Sequence, residues 1–233
     1  MSDIPVGSVR FGDLRRLSPI RRDWGYGDGL PIGRYYIEKF LERNADVIRG
    51  RVLEVANNNY TTRFGGARVE RSDVLTIEGT SPRATITGDI ANKATLPAAA
   101  FDCIIFTQTL YYVYDVCAAI ATIYHGLKPG GTLLLTTPGL APMADQPGCG
   151  KPNRWPWYWL FTPAAVTRLL AECFGAGAIT VETQGNILAV TACLHGLVAE
   201  EFEAAELDFA DEQYPLNIAA RAIKPLDQAE AAR

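Results

Sequence analysis

The sequence predicts an α/β protein built on a doubly wound, mostly parallel sheet. Runs of four to six apolar or β-branched residues alternate with stretches of helical spacing, the pattern of strands buried on both faces and joined by crossover helices. Hydrophobic residues make up 48% of the chain and charged residues 21%, enough apolar matter for a sizeable core. The length of 233 residues suits one domain, 1–233, with modest additions.

The elements follow in order. Residues 1–30 are rich in Gly, Arg and Asp, carry Trp24 and Tyr26, and read as an irregular N-terminal arm. Pro31 suits a first helical turn, and Ile32, Tyr35, Tyr36, Phe40 and Leu41 recur at helical spacing, predicting a helix over about 31–48. Short strand-like runs follow at 51–55, 68–71 and 84–87. The clearest strand is Phe101 to Thr107, which closes at Gln108. A helix is expected over about 115–127, broken by Lys128-Pro129-Gly130-Gly131, with the next strand over 132–137. Residues 138–161 form an insertion with Pro, Gly and three Trp that reads as a lid. A helix over about 163–173, a strand over 179–182, a helix over 187–203 and a strand over 216–223 complete the pattern, and 225–233 is a polar tail.

Composition narrows the function. The formal net charge of −4 argues against a broad phosphate-binding surface, so no nucleic-acid partner is expected. No apolar run approaches the roughly 18 residues of a membrane span, and the first residues lack the apolar core of a signal peptide. A cytoplasmic protein without a membrane partner is expected. Cys103, Cys117, Cys149, Cys173 and Cys193 form no C-x-x-C pair, so neither a zinc site nor a disulfide framework is expected, and the five read as buried thiols.

In a doubly wound sheet, ligands bind beyond the carboxyl ends of the strands. The first strand carries Glu54 and runs into Val55-Ala56-Asn57-Asn58-Asn59-Tyr60-Thr61. The second reads as ending at Asp73, the third at Asp89 and the fourth at Gln108. An acid about twenty residues past the first turn can accept hydrogen bonds from ribose hydroxyls, and a second acid on the next strand can meet an adenine amino group. Each acid taken singly reads better as a cap of a turn or helix. Four polar strand ends in succession point instead to a nucleoside site.

Val52-Leu53-Glu54, Asp73, Gly88-Asp89, Leu96-Pro97 ahead of Phe101-Asp102-Cys103-Ile104-Ile105, and Leu127-Lys128-Pro129-Gly130-Gly131-Thr132-Leu133 stand in this order. The order resembles the class I S-adenosylmethionine-dependent methyltransferases, and among them the small-molecule methyltransferase type 11 group. The resemblance spans residues 31–137, and the later strands agree with that family's seven-stranded Rossmann-like sheet. It implies S-adenosylmethionine as cofactor. Glu54 and the loop with Ala56, Asn57, Asn58 and Tyr60 would lie near its methionine part. Asp73 would bind the ribose with Val74 beside the adenine, Asp89 and Ile90 would meet the adenine edge and face, and Gln108 would lie below the sulfonium. Lys128 to Gly131 would be a structural turn. The family's glycine-rich first turn is here Ala56-Asn57-Asn58-Asn59. Asn tolerates left-handed backbone and offers amide donors and acceptors, so the loop can cradle the cofactor's carboxylate; the alternative is a degraded site.

Aromatic residues mark the substrate side. Trp155, Trp157, Tyr158, Trp159 and Phe161 follow the fifth strand, Tyr111, Tyr112 and Tyr114 follow the fourth, and the arm and first helix add Trp24, Tyr26, Tyr35 and Tyr36. Trp24, Tyr26, Tyr36, Tyr111, Tyr112, Trp155 and Trp157 are the expected walls of a pocket for a small molecule. Arg10, Arg15, Arg16, Arg21 and Arg22 are either a solvated face or a grip for an anionic group. His125 and His195 read as structural, and no nucleophile–base pair or metal-ligand spacing is readable, so no catalytic residue is assigned. Gly25 to Gly29 follows no strand, and the segment Gly148 to Lys151 lacks phosphate-loop spacing.

The expected reaction is in-line methyl transfer to an oxygen or nitrogen of a natural product or sugar, driven by orientation, with a base needed only if the acceptor must lose a proton. The alternatives are an enzyme of the same fold that has turned to cyclisation or rearrangement, and a non-catalytic partner of a biosynthetic enzyme.

Overall fold

The computed structural model describes residues 4–5, 7–78, 81–143 and 156–226. Seven strands form one sheet in the order β3-β2-β1-β4-β5-β7-β6: β1 (Gly50–Val55), β2 (Val69–Thr76), β3 (Ile86–Thr87), β4 (Phe101–Thr107), β5 (Leu127–Pro138), β6 (Ile179–Gln184) and β7 (Asn217–Ile223). Neighbours from β3 to β5 are parallel, and β7 runs antiparallel to both β5 and β6. The helices are α1 (Ile32–Arg43), α2 (Val116–Gly126), α3 (Pro163–Phe174), α4 (Ile187–Leu194) and α5 (Ala204–Asp208).

Side chains alternate faces along a strand, so apolar runs feed two cores. Leu53, Ile104, Leu133 and Leu135 pack under α2 and α3 with Ile120, Ile123, Val166 and Leu170. Val52, Cys103, Ile105 and Leu134 pack under α1 with Ile37, Phe40 and Leu41. Each such side chain, fully buried, contributes about 1.5–3 kcal/mol of transfer free energy.

The first half of the sheet is lightly covered. Between β1 and β2 the chain makes only a π-helical turn, Thr61–Gly65, and a 3-10 turn, Gly66–Arg68. Among the described residues no helix links β2 to β3, and a single 3-10 turn, Lys93–Thr95, links β3 to β4. This leaves the carboxyl ends of β1 and β2 open.

Several elements differ from the sequence expectation. The first helix stops at Arg43, because the Asn44 side chain donates to the Phe40 carbonyl (2.9 Å) and diverts the backbone into a 3-10 turn. The helix expected over 187–203 stops at Leu194, since Gly196 sits at φ +71° and a Cβ there would lie 2.5 Å from the Arg21 carbonyl oxygen. The acidic segment beyond it makes the separate short helix α5. The third strand has two paired residues, Ile86 and Thr87. β5 starts at Leu127, with Lys128 to Gly131 taken up in a register shift opposite Phe101 and Cys103. Of the cysteines, Cys103 is buried, Cys117 is exposed, and Cys173 and Cys193 are half-buried; Cys149 lies outside the described residues.

The arm is irregular and packs on the turn after α4. The Arg21 N–H donates to the His195 carbonyl (2.9 Å), the Leu30 N–H to the Glu200 carboxylate (2.9 Å), and the Ala199 N–H to the Leu30 carbonyl (2.8 Å).

Candidate functional site

A cleft of about 1000 Å³ opens beyond the carboxyl ends of β1, β2 and β4. Glu54, Ala56, Asn57 and Tyr60 line it from the first turn, Asp89 and Ile90 from the turn after β3, and Gln108 from the end of β4. All seven are residues the sequence pointed to.

Glu54 is 2% exposed and ties the loop to its strand. One carboxylate oxygen accepts the Tyr60 N–H (3.2 Å), and the other accepts the Thr61 N–H (2.7 Å) and hydroxyl (2.8 Å). Burial raises its pKa against the opposing pull of these bonds. Ala56 sits at φ +67°, in the left-handed region that favours glycine. Its N–H reaches the Leu75 carbonyl (2.9 Å), and the Asn57 side-chain oxygen accepts the Asn59 N–H (3.0 Å), closing a local turn. The loop therefore keeps a glycine's backbone without the glycine.

Gln108 stands at φ +47° and donates from its amide to Thr136 Oγ1 (3.3 Å) and Asn217 Oδ1 (3.0 Å). Asn217 in turn donates to Gln184 Oε1 (2.8 Å), so a polar chain crosses β4, β5, β7 and β6 beneath the cleft. Asp89 both lines the cleft and shapes its own turn, accepting the Ala91 N–H (2.9 Å) on its carboxylate.

Asp73 requires correction. Strand β2 does not end there but runs on to Thr76. Asp73 pairs across the sheet with Leu53, is fully enclosed, and is absent from the cleft lining. Its carboxylate accepts Arg51 Nε (2.7 Å) and Thr85 Oγ1 (2.8 Å), with Arg71 close by. Burial alone would raise its pKa, but the Arg51 and Thr85 hydrogen bonds and the two guanidinium charges hold it below the ordinary value. Val74 is likewise buried inside β2 and donates its N–H to Thr85 Oγ1 (2.9 Å). The acid at the end of this strand that lines the cleft is Glu78. The signal was present: Val74-Leu75-Thr76-Ile77 continues the strand beyond Asp73, and Glu78 lies twenty residues past Asn58. Asn58 is also misplaced by the sequence reading, for it turns away from the cleft and donates to Ser72 Oγ (3.1 Å).

A second cavity, of about 210 Å³, lies under the arm. Trp24 and Tyr26 from the arm, Tyr111 after β4 and Trp157 from the insertion line it as expected. Tyr111 and Trp157 stack at 4.2 Å between ring centroids. Tyr112 packs against Tyr111 at 4.2 Å and faces the larger cleft instead. Tyr36 belongs to the core: it is 3% exposed, and its hydroxyl donates to the Leu207 carbonyl (2.7 Å). Trp155 lies outside the described residues. Arg21 is held by Asp28 (2.9 Å) and Glu201 (3.5 Å), and Arg10, Arg15, Arg16 and Arg22 line neither cavity.

The two cavities share Tyr60, Thr107 and Gln108. Burial raises the pKa of Tyr60 and Tyr111 and pushes the Cys193 thiol up to about 11, so these three groups are held neutral. Of the four non-glycine residues at positive φ among the described residues, Trp24, Ala56 and Gln108 line these cavities; only Ala99 does not. Strained backbone collects at ligand sites in this way. No group of three His, Cys, Asp or Glu among the described residues is placed to hold a metal ion, and no helix among them is long and apolar enough to cross a membrane.

A family model described as a methyltransferase domain matches residues 34–173, more than half of the chain. The chain belongs to that family. The match spans the methyltransferase domain from α1 to α3, including every strand end that lines the larger cleft. Solved structures share its fold. The [4+2]-cyclase SpnF superposes with a TM-score of 0.53 at 15% identity over 86% of this chain and 84% of the other. A SAM-dependent methyltransferase from Archaeoglobus fulgidus gives 0.53 at 12% identity over 82% and 94%. The N-methyltransferase NodS from Bradyrhizobium japonicum WM9, in complex with S-adenosyl-L-homocysteine, gives 0.51 at 18% identity over 88% and 96%. At such identities the likeness is one of fold. No curated protein matches the sequence.

Proposed function

We propose that this methyltransferase domain moves a methyl group from S-adenosylmethionine to an oxygen or nitrogen of a small molecule held in the aromatic cavity. The observation that carries the reading is the junction of the two cavities at Tyr60, Thr107 and Gln108. A group in the larger cleft and a group in the smaller one meet there.

The residues present fit the cofactor. Glu78 and Asp89 bring carboxylates to the wall where ribose hydroxyls and an adenine amino group would donate, and Ile90 offers an apolar face beside them. The left-handed turn at Ala56 leaves the backbone of Asn57 at the cleft surface for the methionine end. The cofactor supplies an activated methyl group on a sulfonium. The chain supplies orientation, which alone is worth a large part of such a barrier, roughly 7–11 kcal/mol in well-aligned reactions. Among the described residues the smaller cavity is lined by neither a carboxylate nor an imidazole, and burial holds Tyr60, Tyr111 and Cys193 in their neutral forms. The acceptor thus attacks through a lone pair it already has, and any proton leaves to solvent.

Calorimetric titration with S-adenosylmethionine and S-adenosylhomocysteine tests the reading. Micromolar binding that weakens at least about tenfold in Glu78→Ala and is unchanged in Asp73→Asn is the expected result. Absence of binding at millimolar ligand would remove it. Binding without transfer of a labelled methyl group to any oxygen or nitrogen acceptor would point to the cyclisation or rearrangement chemistry weighed from the sequence.

A further inference from the structure

We infer that the small molecule in the aromatic cavity carries an anionic oxygen group, a carboxylate or a phosphate, and that Arg34 at the cavity wall is the side chain that reads it. The inference rests on the transfer reading, whose smaller cavity it furnishes.

Arg34 is the one charged side chain among the described residues lining that cavity. The rest of the wall is apolar, aromatic or neutral. Helix α1 aims it there: Arg34 and Ile37, three apart, share the face that meets the cavity. The guanidinium stands 5.4 Å from the centroid of the Tyr26 ring, itself a wall residue, so the aromatic face steadies the charge at the mouth.

The carboxylates that could quench Arg34 are committed elsewhere. Its partner one helical turn on, Glu38, pairs with Arg63 (2.8 Å). Asp28 and Glu201 hold Arg21, and Glu200 accepts the Leu30 N–H. Arg34 makes no ion pair among the described residues. An exposed guanidinium lining an apolar hollow, with no ion-pair partner among the described residues, can match the planar geometry of a carboxylate or the oxygens of a phosphate. A hollow of about 210 Å³ has room for one or two rings behind that group. The anion grip, one of two readings of the arm's own arginines, thus passes to a helix residue the sequence did not single out.

The test is calorimetry on the full chain with benzoate, phenyl phosphate and benzamide, each with and without saturating S-adenosylhomocysteine. The expected result is that at least one anion binds about tenfold more tightly than benzamide, that Arg34→Gln erases the preference, and that Arg34→Lys keeps part of it. Comparing benzoate with phenyl phosphate identifies which oxyanion the fork prefers. Anions no tighter than the amide, no binding by any of the three, or a preference that survives in Arg34→Gln would each overturn the inference. Affinity for S-adenosylhomocysteine, read on the same samples, reports separately on the transfer reading: its absence with the anion preference intact would sink that reading alone.

Discussion

Replacing Ala56 by glycine should stabilise the protein, although the same exchange elsewhere usually costs stability. Ala56 lies at φ +67°, where an L-residue pays about 1–2 kcal/mol for the crowding of its Cβ against the backbone. The side chain is exposed, so its removal leaves no cavity and loses little buried area. Against this gain stands the larger unfolded-state freedom of glycine, about 0.4–1 kcal/mol. The difference is a net stabilisation of about 0.5–1 kcal/mol, or roughly 2 °C in Tm for a chain of this size. Ala99 at φ +44° is an internal control: it is exposed as well, and it lies outside both cavities. Ala99→Gly should stabilise similarly, and Ala56→Val should destabilise by about 1 kcal/mol or more, since a β-branched residue tolerates positive φ worst. Urea denaturation read by circular dichroism gives all three values, and calorimetry with S-adenosylhomocysteine should show Ala56→Gly binding at least as well as the parent. If Ala56→Gly unfolds at lower urea than the parent while Ala99→Gly unfolds at higher, the first turn does not hold a glycine-like geometry and the account of the cleft fails.

Asp73→Asn should cost about 2 kcal/mol by weakening the charge-assisted hydrogen bonds that Arg51 and Thr85 donate to the buried carboxylate. Because the Asp73 carboxyl is held below its ordinary value, its stabilisation is complete above the usual aspartate range and is lost as pH falls through the lowered value. The gap between Asp73→Asn and the parent should therefore be widest near neutrality and narrow as pH falls below the ordinary aspartate range in urea titrations. Gly196→Ala should destabilise by about 2 kcal/mol, since it adds a Cβ 2.5 Å from the Arg21 carbonyl oxygen at φ +71°, and should speed amide exchange at Arg21 as the arm lifts. Trp157→Ala removes the ring stacked on Tyr111 and should weaken the tightest of the aromatic probes about tenfold in calorimetry while leaving S-adenosylhomocysteine affinity unchanged.

Strands β1, β4 and β5 were legible because their central residues are buried on both faces and leave continuous apolar runs. β2 was half legible. Its first half, with Glu70 and Arg71 exposed, carries charge, and only the second half is buried, so the run Val74 to Ile77 was read as lying beyond the strand. Asp73 was then mistaken for a terminus, and the acid of the cleft wall was placed five residues too early. Tyr36 and Tyr111 look alike in sequence, each in an aromatic pair. One hydroxyl finds the Leu207 carbonyl and stays in the core, while the other ring faces the cavity and stacks on Trp157. That Glu54 and Gln108 line the cleft was legible because a polar residue that closes or interrupts a buried strand is conspicuous in a chain with so many apolar runs.

Local pattern was enough to settle the class of fold and the paths of the main strands, because strands buried on both faces leave short continuous apolar runs while helices bury every third or fourth residue. Folding alone settled which carboxylates line the cleft and which are enclosed within the sheet beside cations. Arg51 meets Asp73 across two strands, Arg63 takes Glu38 from the loop after β1, and Arg21 reaches Glu201 from 180 residues away, so that Arg34 has no ion-pair partner among the described residues and stands by an aromatic hollow. Charge pairing is decided by distance in space, and a linear pattern carries no measure of that distance.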